Sequence, residues 1–299
     1  YTLLNLIMKI IAKFIHCIIN LIGYRLVITK HKCSYSLDGG IQFKEHYGLI
    51  RSIIEKTVRY IFGLLRIRPL FIRKTSDVCW IKAIEDIDAI SKRIDYKKIT
   101  DLRKATLSTH LNEGKNPNDV LGSWKFLDID LWIPVNLERA YLLGLHTSPS
   151  INILDISCGA GYFAFICKHF GHNVHTTDID LWEEFNKMTQ ILNIERSVLW
   201  VRPETKLPSF GKSFDLITSF MIAYNFPNKY NKNKWGHKQW HFFLKDLKNN
   251  QLKKDGKIYL LLNPDMDKTY YTQNLYNFFL SLGAKINGPE IYFKNVNKI

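Results

Sequence analysis

The sequence predicts an α/β fold whose C-terminal part is a doubly wound sheet. Apolar residues at four of the six positions 151–156 predict a short buried strand. Small residues over 157–161 then allow a sharp turn, and 162–170 have the composition of a helix. A second strand over 173–177 ends at an acid, Asp178. Strand, glycine turn, helix, strand and acid within about thirty residues are typical of the nucleotide-binding half of such a sheet.

The turn and the acid also carry a family resemblance. The segment resembles motif I of the class I S-adenosylmethionine-dependent methyltransferases, in which an acid is followed by three alternate glycines. Asp155, Gly159 and Gly161 match that form, while Ser157 stands where the first glycine is usual. Asp178 matches the acid that holds the ribose hydroxyls. The resemblance implies S-adenosyl-L-methionine as the cofactor, with contacts from Asp155, Ser157, Gly159, Ala160, Gly161, Asp178, Ile179, Glu204 and Phe220.

The rest of the chain from about residue 124 resembles the same family as an ordered series of elements. The resemblance implies a mostly parallel sheet of seven strands, doubly wound by helices. We expect helices over 136–145, 182–193 and 268–282, strands over 198–201, 213–220 and 254–262, and a last hairpin within 284–296. Pro203 departs from the family, because an acid for the adenine amine is usual at this position. Its neighbour Glu204 is the candidate substitute.

Composition and charge narrow the class of protein. With 46% hydrophobic residues, the 299-residue chain can bury a sizeable core, which excludes a disordered chain. Its five cysteines are scattered and form no CxxC pair, which predicts free thiols, a cytoplasmic location and no metal site. Residues 1–76 hold 13 Lys and Arg against 3 Asp and Glu, so most of the net charge of +15 lies there. An anionic partner is therefore expected to meet the N-terminal segment.

Residues 2–22 and 48–66 each predict an amphipathic helix, so we expect an N-terminal α-helical region. Polar or basic residues recur at helical spacing among Leu, Ile and Phe, namely Asn5, Lys9, Lys13, His16 and Asn20 in the first and Arg51, Lys56, Arg59 and Arg66 in the second. Two interpretations stay open: the helices pack within the protein, or residues 1–66 lie on an anionic membrane surface. A membrane-spanning helix is less favoured, because each buried lysine costs about 3 kcal/mol at the bilayer centre.

Three regions follow from these patterns. Residues 1–76 form the basic amphipathic helical region, and 77–123 form a further helical segment that ends in a turn-rich linker. Residues 124–299 form the domain that the resemblance identifies as binding S-adenosylmethionine.

The acceptor is expected at the carboxyl ends of the strands, where ligands of open α/β sheets bind. A long loop over 224–241 follows the strand 213–220, and such loops are often substrate walls. The substrate-binding candidates are Tyr224, Asn225, Trp235, Trp240 and Asn263. His237 and His241 are the catalytic candidates, because they share one predicted helix face and histidine is a general base near neutral pH. The alternative is that both are surface or packing residues.

The resemblance implies methyl transfer. The cationic N-terminal helices, together with a general resemblance to bacterial methyltransferases of surface-polysaccharide pathways, favour a small-molecule or glycan acceptor. Such an enzyme would work in the cytoplasm, with peripheral attachment to the inner membrane face as one option. An RNA or DNA methyltransferase is the first rival, and nucleic acid is less favoured because the positive charge lies far from 224–241 in sequence. The second rival is a non-catalytic binding or scaffold protein, for which the altered positions 157 and 203 are the hint.

The membrane interpretation predicts binding to anionic vesicles. The protein should sediment with anionic liposomes more than with neutral ones, because each lysine or arginine near the surface contributes about 1 kcal/mol. Salt should weaken this binding without abolishing it, since apolar burial supplies the rest. Deletion of residues 1–22 should release the protein from the liposomes. If the intact protein ignores liposomes and the deletion lowers its melting temperature, the helices pack within the protein instead.

Overall fold

A computed structural model describes residues 24–28, 69–73, 80–112, 125–229, 232–265 and 269–299. The chain divides into two compact units, 1–145 and 146–299. The boundary expected between residues 123 and 124 stays a prediction. The two helices expected over 2–22 and 48–66 lie outside the described residues. Within the described ranges, no helix combines the length and apolar character needed to cross a membrane.

The first unit contains two strands that the sequence analysis did not predict. β1 (Tyr24–Ile28) pairs antiparallel with β2 (Pro69–Arg73). Both strands lie inside the region 1–76, where helices alone were expected. The strands are 5 residues each and 40 residues apart in sequence, so no local hairpin signal links them.

Three helices make up the remainder of this unit as the structure describes it. They are α1 (Trp80–Ser91), α2 (Tyr96–Asn112) and α3 (Ile129–Leu142), with a short 3₁₀ turn at Lys125–Leu127. The helix expected over 136–145 was placed too late, because α3 already begins at Ile129 and contains Pro134. Asp128 caps it, accepting a hydrogen bond from the backbone N–H of Leu131 at 3.2 Å. A hydrogen bond from the Tyr141 hydroxyl to buried Asp86 joins α3 to α1.

The second unit is a sheet of seven strands flanked by four helices in its described part. Its elements are β3 (Asn152–Ile156), α4 (Tyr162–His169), β4 (Asn173–Asp178), α5 (Glu183–Ile191), β5 (Arg196–Val198), β6 (Phe214–Ile222), α6 (His237–Asp246), β7 (Leu252–Leu262), α7 (Gln273–Ser281), β8 (Lys285–Asn287) and β9 (Glu290–Phe293). The strand order is β5-β4-β3-β6-β7-β9-β8. The strands from β5 to β7 are parallel, and β9 pairs antiparallel with both β7 and β8. The expected seven-stranded, mostly parallel sheet is therefore present, and it is mixed.

The strand order reverses between β3 and β6, and this position is the switch point of the sheet. From β3 the chain moves outward through β4 to β5, then returns to β6 on the other side of β3. The connections after β3 and β6 therefore leave neighbouring strands in opposite directions. A crevice at the carboxyl ends of these two strands is where open α/β sheets bind ligands.

Several boundaries within the second unit differ from the predicted ones. The third strand was expected over 198–201, but β5 ends at Val198, where its pairing with β4 ends. The strand expected from 254 begins at Leu252, and Gly256 lies inside it, not in a turn before it. The expected loop over 224–241 is shorter, because α6 begins at His237. The apolar run around 198–201 misled the prediction, since only its first residue belongs to the sheet.

We predict that Gly256→Ala destabilises the protein by roughly 1 to 3 kcal/mol. A Cβ at this buried position would lie 2.6 Å from Leu252 Cδ2 and 3.0 Å from the carbonyl oxygen of Lys253, so the irregular start of β7 would have to shift. Denaturant unfolding measures the change. Lys257→Ala, at an exposed neighbouring position on the same strand, is the matched control and should change stability little. Equal stability of both variants would contradict the close packing inferred at Gly256.

Candidate functional site

Two residues other than glycine adopt left-handed backbone angles at the switch point. Ile156 of β3 pairs with Ser219 of β6, and each strand ends soon afterwards. Ser157 follows at once with φ 63°, and Met221 lies at the same edge with φ 54°. Such angles are uncommon for residues with a Cβ, and they cluster at functional sites. The two left-handed residues thus lie where β3 and β6 end, at the switch point of the sheet.

The glycine turn before α4 is shaped by two further left-handed positions. Gly159 has φ 56° and Gly161, which caps α4, has φ 81°. A Cβ at Gly161 would lie 3.1 Å from Cγ2 of Thr189 on α5, so glycine is needed there for packing between the helices. A Cβ at Gly159 would meet only Phe185, at 3.8 Å. The backbone at Gly159 is therefore the more open part of the turn.

Asp178 joins this turn to the end of β4. Its carboxylate accepts hydrogen bonds from the backbone N–H of Gly159 and, at 2.6 Å, from that of Ile179. Burial raises the pKa of Asp178, and the two N–H donors together with Arg196 oppose that rise. A carboxylate offers about four lone-pair positions, so two bonds leave it able to accept more. The predicted ribose-holding acid is thus located beside the turn.

Asp155, the first residue of the predicted motif, is buried within β3. Its Oδ1 accepts a hydrogen bond from the Thr218 hydroxyl at 2.7 Å. Thr218 pairs with Asp155 across the parallel β3 and β6, so the two side chains share one face of the sheet. This contact fixes the carboxylate directly beneath the turn. Thr218 was not predicted as a site residue. Its position opposite Asp155 follows from the register of the parallel strands β3 and β6.

Exposed apolar residues follow the acid on the same edge. Val198 pairs with Asp178 at the end of β5, and its side chain is 60% exposed. Leu181 and Trp182 lie in the connection from β4 to α5 and are 59% and 41% exposed. Large apolar side chains exposed together mark a binding surface more often than isolated ones do. None of the three was among the predicted contacts.

Glu204, the candidate adenine contact, is tied to α6. Its Oε1 accepts from the Gln239 side chain at 2.9 Å and its Oε2 pairs with Lys238 at 2.5 Å. The hydrogen bond from Lys238 lowers the pKa of Glu204. The carboxylate thus holds the connection between β5 and β6 against the first turn of α6. Its contact with adenine stays a prediction.

Phe220 and the predicted acceptor residues pack on opposite faces of the sheet. The Phe220 ring lies edge-on to Phe163 of α4, with centroids 4.6 Å apart. Tyr224, Trp235 and Trp240 belong to the aromatic core between the sheet and α6, with centroids 5.3 to 6.4 Å apart. Trp240 is fully buried, so it offers no ring face to a ligand in this arrangement.

The aromatic core contains polar atoms that have no hydrogen-bond partner among the described residues. They are the hydroxyl of Tyr224, Oδ1 of Asn225 and Nε1 of Trp235 and Trp240. The Asn225 backbone is fixed, because its carbonyl accepts from the N–H of Trp235 at 2.8 Å. Burial raises the pKa of Tyr224 well above its ordinary value, so its hydroxyl stays neutral. The aromatic core therefore contains a neutral Tyr224 hydroxyl and further polar groups.

His237 and His241 share one exposed face of α6, as the spacing predicts. His237 stacks on Phe278 of α7 with ring centroids 4.8 Å apart, and the His241 ring lies 6.3 Å from the same ring. A role as general base and a role as surface residue both stay predictions for these two histidines. In the described ranges, no cluster of His, Cys, Asp or Glu side chains is arranged to hold a metal ion.

Two side-chain contacts join the segment after β7 to β6 and to the loop before α6. The Asn263 side chain donates a hydrogen bond to the carbonyl of Met221 at 2.8 Å. Lys234 and Asp265 form an ion pair at 2.8 Å. The amide of Asn263, predicted to bind substrate, is therefore engaged in fixing Met221. Met221 was not among the predicted contact residues, and its left-handed backbone was not predicted, because no sequence pattern reports such a residue unless it is glycine or asparagine.

Comparison with known proteins gives only distant structural likenesses. No protein-family model matches the chain, and no curated protein does. A TehB-like SAM-dependent methyltransferase from Corynebacterium glutamicum is 17% identical with a TM-score of 0.37, covering 52% of this chain and 83% of that one. A SAM-dependent methyltransferase from Aquifex aeolicus is 18% identical with a TM-score of 0.35. The match covers 52% of this chain and 87% of the Aquifex protein.

A third likeness is to a S-adenosylmethionine-dependent methyltransferase from Clostridium acetobutylicum. It is 16% identical with a TM-score of 0.33, covering 46% of this chain and 51% of that one. The chain thus spans about half the length of the Clostridium protein, and likewise 53% of a Pyrococcus horikoshii protein. Likenesses this weak do not establish the activity of this chain.

We predict that Thr218→Val destabilises the protein by about 2 kcal/mol, because it removes a buried hydrogen bond to a carboxylate without changing side-chain size. Thr177→Val is the matched control. The Thr177 hydroxyl is equally buried and has no hydrogen-bond partner among the described residues, so its removal should be neutral or stabilising. Denaturant unfolding of both variants measures the difference. Equal effects would contradict the Thr218–Asp155 contact.

Proposed function

We propose that this chain is a class I S-adenosylmethionine-dependent methyltransferase. The observation that carries the proposal is the contact between Asp178 and Gly159 at the switch point. It joins a glycine turn to an acid on the neighbouring strand, at the edge where open α/β sheets bind ligands. The seven-stranded order with its antiparallel β9 supports the same assignment, because it agrees with the sheet that the motif resemblance implies.

The residues at this edge fit the chemistry of the cofactor. Gly159 leaves its backbone open to a ligand, and Asp178 retains lone pairs for the ribose hydroxyls. Val198, beside Asp178, supplies apolar surface for an adenine ring, and Leu181 and Trp182 extend that surface. When bound, S-adenosylmethionine supplies a methyl group on a sulfonium, which an acceptor takes by in-line displacement.

The task of the protein in such a reaction is to position the acceptor, because methyl transfer needs the nucleophile about 3 Å from the methyl group. The segment after β6 and Asn263 after β7 stand at the same edge as the glycine turn. For a hydroxyl acceptor, His237 or His241 would remove the proton as the nucleophile attacks. A nitrogen acceptor that is neutral at working pH needs no such base.

We further propose a small-molecule or glycan acceptor met at the cytoplasmic face of a membrane. The support is the sequence of residues 1–66, whose basic residues recur at helical spacing. Anionic headgroups attract such segments. A nucleic-acid acceptor stays the less favoured alternative.

The proposal predicts binding of S-adenosylhomocysteine, the product of the cofactor, measured by calorimetry. Val198→Asp should weaken binding about tenfold or more, because it places a charge against the adenine ring without affecting the core. Leu280→Asp is the matched control, since Leu280 is also exposed but lies near the end of α7. Gly161 is unsuitable as a test site, because a side chain there would disturb packing against Thr189.

Failure of the wild-type protein to bind S-adenosylhomocysteine would overturn the cofactor assignment. Equal binding by wild type and Val198→Asp would instead show that the adenine ring does not contact Val198. A matching loss in Leu280→Asp would show that the effect of Val198→Asp is not local.

A further inference from the structure

β6 contains an extra residue next to the switch point, and that residue is Met221. Phe220 pairs with Leu261 of β7, and Ile222 pairs with the next residue, Leu262. Two steps along β6 therefore match one step along β7, which is the definition of a β-bulge. Met221, with φ 54°, is the residue left over. Bulges are common next to active sites, where they change the direction of a side chain.

The bulge changes which residue lies in the core. Ile222 is fully buried among the residues between the sheet and α6, the place that the residue after Phe220 would take in a regular strand. Met221 is displaced to the carboxyl edge and is partly exposed. It stands beyond the Ile156–Ser219 pair, level with the turn that begins at Ser157. The bulge thus places an apolar, flexible residue at the carboxyl edge of the sheet.

The strained backbone of Met221 is held by a contact from the neighbouring strand. The amide of Asn263 donates to the Met221 carbonyl at 2.8 Å. A left-handed methionine lowers stability, because its Cβ crowds the following carbonyl. Glycine would adopt the same angles without that loss. Strain that a neighbouring side chain maintains at a ligand-binding edge is typical of a functional position.

We propose that Met221 is a cofactor-contacting residue of the methyltransferase site, and that its side chain packs against the bound cofactor beside the methyl group. This inference rests on the proposed function. The thioether is apolar and polarizable, and the unbranched side chain can adapt to an irregular ligand surface. It fills the crevice and keeps water away from the reacting atoms. The bulge would then be the feature that places the Met221 side chain beside the cofactor.

Three variants test the inference: Met221→Gly, Met221→Ala and Met221→Leu. Thermal unfolding should rank Met221→Gly about 2 °C or more above Met221→Ala, because glycine alone relieves the left-handed strain. Calorimetry should show roughly fivefold weaker binding of S-adenosylhomocysteine to the Gly and Ala variants, and binding within about twofold of wild type for Met221→Leu. A purely structural residue would not weaken binding equally in Met221→Gly and Met221→Ala, because these two variants differ in backbone strain.

Asn193→Gly is the matched control. Asn193 is also left-handed, with φ 53°, but it follows α5, away from the carboxyl edge. This variant should leave S-adenosylhomocysteine binding unchanged. Wild-type affinity in Met221→Gly and Met221→Ala would overturn the contact with the cofactor. A lower melting temperature for Met221→Gly than for Met221→Ala would overturn the strained bulge. No binding by wild type would overturn the proposed function and the cofactor contact together, while the melting temperatures would still decide the bulge.

Discussion

The candidate site depends on the hydrogen bond between the Gly159 N–H and the Asp178 carboxylate. Around it, three consecutive strands are joined at their carboxyl ends. The Cys158 N–H donates to the carbonyl of Thr177 at 3.0 Å, and the Leu199 N–H donates to the carbonyl of Asp178 at 2.8 Å. The turn after β3, the end of β4 and the exit of β5 are therefore fixed to one another. Burial of the carboxylate is unfavourable, and the N–H donors compensate for it.

The sequence contained enough information for this part of the fold. A buried strand, a turn of small residues and an acid at the end of the next strand are local patterns, and each follows from side-chain size or polarity alone. The face shared by His237 and His241 was equally local, because it needs only helical spacing. The end of β5 and the start of α3 could not be predicted from local patterns. Val198 is where pairing with β4 stops, and Asp128 starts a helix that Pro134 would have been expected to interrupt.

The aromatic loop shows why residue type alone did not determine location. Trp235 and Trp240 were expected to line the acceptor site, yet both lie in the core. Along α6, Trp240, Phe243 and Leu244 recur at helical spacing and face the sheet, while Lys238 and His241 face outward. Packing the helix by its apolar face necessarily buries Trp240. Trp235 precedes the helix and is buried by packing against Tyr224 and Trp240, a contact between residues that the sequence did not define.

Ser157 shows that a residue with a Cβ can occupy the sharp turn after β3. It stands where the motif has glycine, and its backbone is left-handed with φ 63°. Contacts with the neighbouring strand stabilise the turn, because Cys158 and Gly159 donate hydrogen bonds to the end of β4. Contacts of this kind can maintain a backbone that the residue itself disfavours, and Asn263 does the same for Met221. Contacts with the neighbouring strands, together with residue type, therefore determine the backbone path of the turn.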